Sequence, residues 1–241
     1  MEVEGILFKR SGALGLNGGI EILVRKSTQD CYVAQEVLRR DCYGMTILAH
    51  RGFSPRVVLD IGANIGAFAC LAKHLWPKSR VIAVEPATAT HELLQRNAPH
   101  VEHVQSAVCY GVEQVEFFYS EEFPGVSYVG ESIAAEICTK THSWATFHSA
   151  GTVSTLTLER LCAGEEVDIL KIDCEGSEWN ILARMEIRPR IIVGEWHGFG
   201  GLARIDALLS RNGYVVEHSV YTRSTGIFTA FYRQLGLSFN L

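Results

Sequence analysis

The 241 residues carry 22 lysines and arginines against 27 aspartates and glutamates, a formal charge of -5, and are 47% hydrophobic. The acidic balance argues against a nucleic-acid partner, which would call for a basic face, and the hydrophobic content excludes global disorder. The chain has no run of about 18 apolar residues to span a bilayer, and Met1-Glu2-Val3-Glu4 does not open a secretion signal.

The first 55 residues do not read as the start of a regular α/β core. Gly12, Gly15, Gly18 and Gly19 punctuate a polar stretch, Ile20–Val24 suits a short strand, and Val33–Arg40 suits one or two helical turns. The expectation for 1–55 is a cap or lid near the mouth of the core, or equally an extension covering a sheet edge.

From residue 56 strands and helices alternate, the pattern of a mostly parallel sheet built from βαβ units. Arg56–Ile61 is the first predicted strand and Ile65–Leu75 the first helix, which Pro77 stops. Arg80–Val84 is the second strand, followed by Glu85-Pro86 and a helix to about Asn97. Val101–Val108 reads as a third strand, with the alternating segment Val112–Tyr119 pairing next to it. Residues 120–151 look irregular, an insertion on the acceptor side. Val167–Asp173, the helix Ser177–Met185, Arg190–Glu195, the helix Leu202–Arg211 and a closing hairpin of Tyr214–His218 with Gly226–Tyr232 complete the domain 56–241.

The most informative segment is Val57-Val58-Leu59-Asp60-Ile61-Gly62-Ala63-Asn64-Ile65-Gly66. It delivers a carboxylate and a glycine turn to the carboxyl end of a strand, where open α/β sheets bind ligands. Glycine there would let the backbone approach a ligand closely. A dinucleotide site would place a glycine where Asn64 stands, and an acid before the first glycine suits a sulfonium better than a diphosphate. The expected ligand is therefore S-adenosylmethionine, with Asp60 organising its polar contacts. Glu85, at the end of the second strand, is placed to accept hydrogen bonds from the two hydroxyls of a ribose. Small residues at Ser106-Ala107-Val108 leave room for an adenine.

Two further strand ends bring acids to the same edge. Val167-Asp168-Ile169-Leu170-Lys171-Ile172-Asp173 leads into Cys174-Glu175-Gly176-Ser177, where Ser177 is expected to cap a helix. Ile191-Ile192-Val193-Gly194-Glu195-Trp196-His197 follows. Asp173, Glu175, Glu195 and His197 thus converge on one crevice, as an active site requires.

Together, VVLDIGANIGAF, VIAVEP, LKIDCEGSEWNIL and IIVGEWHG resemble the FkbM family of S-adenosylmethionine-dependent methyltransferases over residues 56–198, LKIDCEGSE being the most specific part. The resemblance implies a Rossmann-like methyltransferase fold: a mostly parallel seven-stranded sheet with helices on both faces, one strand antiparallel. It also implies methyl transfer, commonly to a hydroxyl oxygen, leaving S-adenosylhomocysteine. It assigns Asp60, Gly62, Asn64 and Gly66 to the donor and Glu85 to its ribose, with Ala107 beside the adenine. The segment from Asp173 to Glu178 becomes the catalytic face.

A hydroxyl acceptor has to lose a proton. His197 is the first expected base, since imidazole titrates near neutrality; Asp173 is the second, and Glu175 accompanies them. These side chains offer hard ligands for magnesium, but a metal is not expected. His142 and His148, beside Trp144 and Phe147, are candidates for the acceptor pocket. The acceptor is expected to be a small molecule, natural product or glycan. N-methylation, a nicotinamide-dependent oxidoreductase and a non-catalytic donor-binding module remain as alternatives. The seven cysteines, at 31, 42, 70, 109, 138, 162 and 174, match neither a zinc site nor a disulfide framework. They are expected as free thiols in the cytoplasm.

Overall fold

A computed structural model describes residues 2–9, 18–120, 123, 126–130, 132–198, 201–220 and 225–233; Gly12 and Gly15 lie outside them. The elements, in chain order, are β1 (Val3–Lys9), β2 (Gly19–Arg25), α1 (Asp30–Leu38), α2 (Met45–His50), β3 (Val57–Ile61), α3 (Ala67–Leu75), β4 (Arg80–Val84) and α4 (Thr88–Asn97). They continue with β5 (Glu102–Val104), β6 (Ala107–Val108), β7 (Gln114–Tyr119), β8 (Ser127–Val129), α5 (Ser132–Thr141), β9 (His148–Leu156) and α6 (Leu158–Cys162). The last are β10 (Ile169–Ile172), α7 (Glu178–Arg184), β11 (Ile191–His197), α8 (Gly201–Arg211), β12 (Tyr214–Val220) and β13 (Thr225–Tyr232).

The main sheet has seven strands in the order β12-β13-β11-β10-β3-β4-β5. Its central pairs are parallel, and β13 runs antiparallel to both β11 and β12. Side chains alternate between the two faces of a strand, and this parity divides the interior. Val58, Ile169, Ile191 and Val193 face the core shared with α1, α2, α3 and α4, while Leu59, Leu170, Ile192 and Trp196 face the core under α6, α7 and α8. The same parity puts Asp60, Lys171, Glu195 and His197 on the side of α1 and α3.

Three expectations need correction. Val101–Val108 is not one strand: β5 pairs with β4 in the main sheet, whereas β6 pairs with β9 in a separate four-stranded sheet, order β6-β9-β7-β8. Accordingly β7 lies beside β8 and β9, not beside β5. The stretch 120–151, expected to be irregular, contributes β8, α5 and the start of β9 to the described residues. Its own hydrophobic pairs, such as Phe118 stacked on Tyr128 at 5.0 Å, organise it away from the main core.

The N-terminal segment is built into the fold. Strands β1 and β2 form a hairpin, and Ile22, Val24, Ala34, Leu38 and Met45 join the core over α3. Polar ties reinforce the docking. Asn97 exchanges hydrogen bonds with the backbone of Leu23 at 2.7 and 2.9 Å, and buried Arg25 pairs with Asp30 and donates to Thr90 Oγ1 at 3.0 Å. Among the described residues no helix is long and apolar enough to cross a membrane.

Candidate active site

The turn after β3 holds three residues in the left-handed region, Gly62 at φ 73°, Asn64 at 50° and Gly66 at 90°. The protein interior by itself already requires glycine at 62. A Cβ there would lie 1.9 Å from the carbonyl oxygen of Asp173, and one on Gly66 would lie 2.8 Å from Leu94 Cδ1. Strand β10 and helix α4 therefore press on this turn and set its path.

Asp60 does not line a cavity. It is fully buried in β3 directly across from Lys171, whose ammonium lies 3.2 Å from Oδ1 and donates to the Gly62 carbonyl at 2.5 Å. Burial pushes the Asp60 carboxyl above its ordinary value despite that cation. Burial would lower the Lys171 ammonium, but Asp60 and Asp173 outweigh it and hold it up. Asp60 thus holds Lys171, and Lys171 holds the turn. Lys171 gave no functional signal in the sequence. Only its register against Asp60 marks it.

Above the turn lies a cavity lined by Gly62, Asn64, Glu85, Ala107, Asp173 and Glu175, among others, so it gathers most of the residues the sequence singled out. Gly66 and Asp60 stay behind it. Glu85 is buried, and its two oxygens accept from the backbone N–H groups of Asn64 and Ala87, both at 3.0 Å. Each oxygen keeps acceptor capacity, and burial raises this carboxyl above its ordinary value. Ser127, Tyr128 and Val129 of β8 close the far wall, and Val33, Val37 and Tyr43 come from the N-terminal segment.

A second cavity adjoins the first, sharing Tyr43, Asn64, Asp173 and Glu175 with it and adding His142, Trp144, Glu195 and His197. His148, the other histidine singled out in the insertion, is exposed and lines neither cavity. At the junction Asn64 Oδ1 is buried without a hydrogen-bond partner among the described residues. Tyr43, at the end of the stretch Asp30–Tyr43 that weakly resembles the family's N-terminal region, was not expected in the site, yet its hydroxyl donates to Asp173 Oδ2 at 3.1 Å across 130 positions of chain. Its ring is fixed edge-on against Phe68.

His197 is 2% exposed and sits among acids. Nδ1 lies 3.1 Å from Glu178, and Nε2 lies 3.3 Å from Glu175 and 3.8 Å from Glu195. Burial would discharge the ring, but Glu175 and Glu178 outweigh it and hold the imidazole well above its ordinary value. Glu178 also accepts the backbone N–H groups of Cys174 and Gly176 at 2.7 and 2.9 Å. This carboxylate, rather than the Ser177 side chain, which makes no cap hydrogen bond, satisfies the entry to α7. Glu175 accepts a further contact from His142 Nε2 at 2.7 Å. Burial works against its charge, but His197 and His142 draw its carboxyl down. Glu195 differs. Burial, reinforced by Asp173, Glu175 and Glu178 and opposed by His197, pushes its carboxyl up to about 8.

The ligating atoms of Asp173, Glu178 and His197 lie within 4.8 Å of one another, as do those of Cys138, His142 and Glu175. Glu178 already serves two backbone donors and the His197 ring, so the first set is a hydrogen-bond cluster and does not fit a metal. In the second set the ring nitrogen of His142 is turned onto Glu175.

Residues 60–216 match the profile of the methyltransferase FkbM domain. The chain belongs to the FkbM methyltransferase family. It is an S-adenosylmethionine-dependent methyltransferase on a Rossmann-like fold. This FkbM-family enzyme is 24% identical over 214 residues to methyltransferase sdnD of Sordaria araneosa, covering 76% of this chain and 81% of that protein. It is 26% identical over 206 residues to methyltransferase 1 of Beauveria bassiana, covering 77% and 81%. Hexuronic acid methyltransferase AglP of Haloferax volcanii is 30% identical over 132 residues, 54% of this chain and 49% of that one.

Proposed function

We propose that the enzyme methylates a hydroxyl oxygen of a small molecule, natural product or glycan. The observation that carries this reading is the pair of adjoining cavities, with a carboxylate of raised affinity for protons standing in the second. In this reading Glu85, Asn64, Gly62 and Ala107 hold the donor, Asp60 and Gly66 shape the turn from behind, and Tyr43, Asp173 and Glu175 stand where the two ligands meet. The N-terminal 55 residues act as a cap through Val33, Val37 and Tyr43. The stretch 120–151 walls the acceptor side through His142 and Trp144. The free thiols of all seven cysteines fit the cytoplasm.

S-adenosylmethionine supplies an electrophilic methyl on a sulfonium, which leaves as the neutral thioether of S-adenosylhomocysteine. The protein has to align the acceptor and remove its proton. His197 was expected to do so, but an imidazolium has no free lone pair. We assign it to positioning instead, holding Glu175 and Glu178. The base is Glu195: among the described residues nothing donates a hydrogen bond to its carboxylate, and its only ionic neighbour is His197 at 3.8 Å. As the new C–O bond forms and the C–S bond breaks, the hydroxyl proton passes to Glu195. Asp173, held by Tyr43, orients the acceptor.

The test is transfer of a radiolabelled methyl group from S-adenosylmethionine to a panel of hydroxylated sugars and secondary-metabolite alcohols. A base-stable ether product is expected. The rate should rise with pH through about 8, and Glu195→Gln should remove that limb. An N-methyl or methyl-ester product, or an unchanged pH profile in Glu195→Gln, would refute the assignment.

A further inference from the structure

The second cavity has an unbalanced charge. Its described wall carries four carboxylates, Glu36, Asp173, Glu175 and Glu195, with no lysine or arginine. Its two imidazoles, His142 and His197, both turn a nitrogen onto Glu175, while Asp173 and Glu195 complete the acidic wall. The nearby guanidinium of Arg40 lies over the Tyr32 ring at 5.7 Å and 3.8 Å from Glu36, which accounts for that acid at the rim. Lys171 is committed to Asp60 and the Gly62 carbonyl.

Of the aromatic side chains that line the same cavity, Tyr32 already has Arg40 over its ring, while Trp144 remains 52% exposed. Trp144 is not loose. Its ring is set edge-on to Phe123 at 4.3 Å and to His142 at 5.3 Å. Exposed aromatic faces beside uncompensated carboxylates attract an organic cation, by the ring quadrupole and by charge together.

Building on the reading of this cavity as the acceptor site, we propose that the acceptor carries a protonated amine near its reacting hydroxyl, an amino sugar or amino alcohol, held by Trp144 and the carboxylates of the wall. The proposal separates this enzyme from its relative named for hexuronic acid, because an anionic acceptor would meet Asp173, Glu175 and Glu195 with no lysine or arginine among the described wall residues to receive it. It also directs the methyl group. Carboxylates around an ammonium keep it protonated, so its nitrogen has no lone pair to attack with, and the oxygen is left as the nucleophile. The bound cation opposes the repulsion from Asp173, Glu175 and Glu178 that hinders ionisation of Glu195. The correct acceptor therefore helps to put its own base into the ionised form. Tyr43, Cys42, His142, His197 and Glu36 complete the titratable groups around the cavity.

The experiment is calorimetric titration of the full-length protein, saturated with S-adenosylhomocysteine, with glucosamine, glucose and glucuronate at neutral pH and at low and high salt. Glucosamine should bind roughly tenfold tighter than glucose, a preference that salt weakens, and glucuronate should not bind. Trp144→Ala should weaken glucosamine about fivefold or more, while S-adenosylhomocysteine affinity holds. Equal binding of the three sugars, preference for glucuronate, or no binding of any would overturn the proposal. Failure of S-adenosylhomocysteine to bind would instead strike the reading of the donor cavity on which it rests.

Discussion

Lys171→Met tests the link between the floor of the sheet and the donor turn. Lys171 and Asp60 are 4% and 0% exposed and face each other on neighbouring strands. Removing one member of a buried ion pair strands the other and costs about 3–5 kcal/mol. For a chain of this length that lowers the melting temperature by roughly 6–20 °C. Asp60→Leu should cost a similar amount by stranding the ammonium. If the two losses were independent, the double variant would lose about 6–10 kcal/mol. The expected loss is only about 1–3 kcal/mol, set mainly by the Gly62 carbonyl that Lys171 no longer satisfies. Urea denaturation of the four proteins closes the cycle.

The pH dependence supplies a second check. Asp60 already lies above its ordinary value, and without Lys171 it rises further. Between the unfolded value near 4 and that raised folded value, the native state holds more protons than the unfolded chain, so stability increases as pH falls. The deficit of Lys171→Met should therefore shrink from pH 7 toward pH 5. Additive losses within about 0.5 kcal/mol, or a deficit that does not change with pH, would refute the reasoning.

Gly62→Ala combines a left-handed backbone with a contact of 1.9 Å to the Asp173 carbonyl. It should cost about 2–5 kcal/mol and weaken S-adenosylhomocysteine binding, read by thermal melting and calorimetry. Glu85→Gln should lower that binding by about ten- to a hundredfold if ribose hydroxyls bond to the charged carboxylate; an unchanged affinity removes Glu85 from the donor site. His197 is raised in the fold, so its contribution is complete below the unfolded value near 6.5 and is lost as pH rises through the folded one. His197→Gln should thus cost about 3–5 kcal/mol at pH 6 and progressively less toward pH 9. A cost that does not vary with pH would mean the folded imidazole keeps its ordinary value, and one that grows as pH rises would mean the native imidazole is neutral.

Much of this architecture is legible along the chain. The alternation of buried strands and amphipathic helices, the acid-glycine turn after β3 and the acids closing β10 and β11 are local patterns, and local patterns suffice to set the succession of strands and helices and the strand ends to which the acids are delivered. The parity of a strand even tells which face Glu195 and His197 share. Other features needed the assembled fold. Tyr43 reaches Asp173 across 130 residues, and nothing in its neighbourhood announces the contact. Short β6 left the main sheet for β9 because pairing is settled by available partners rather than by propensity. His197 reads in the sequence as a neutral base, yet its protonation depends on Glu175 and Glu178, which stand around it only after α7 has packed against β11. Gly62 looks like a ligand contact but is required by a carbonyl from another strand. Periodicity and turn chemistry act between near neighbours, and so they are written in the sequence. Charge state and close contact depend on distances between remote residues, and only the tertiary structure decides those.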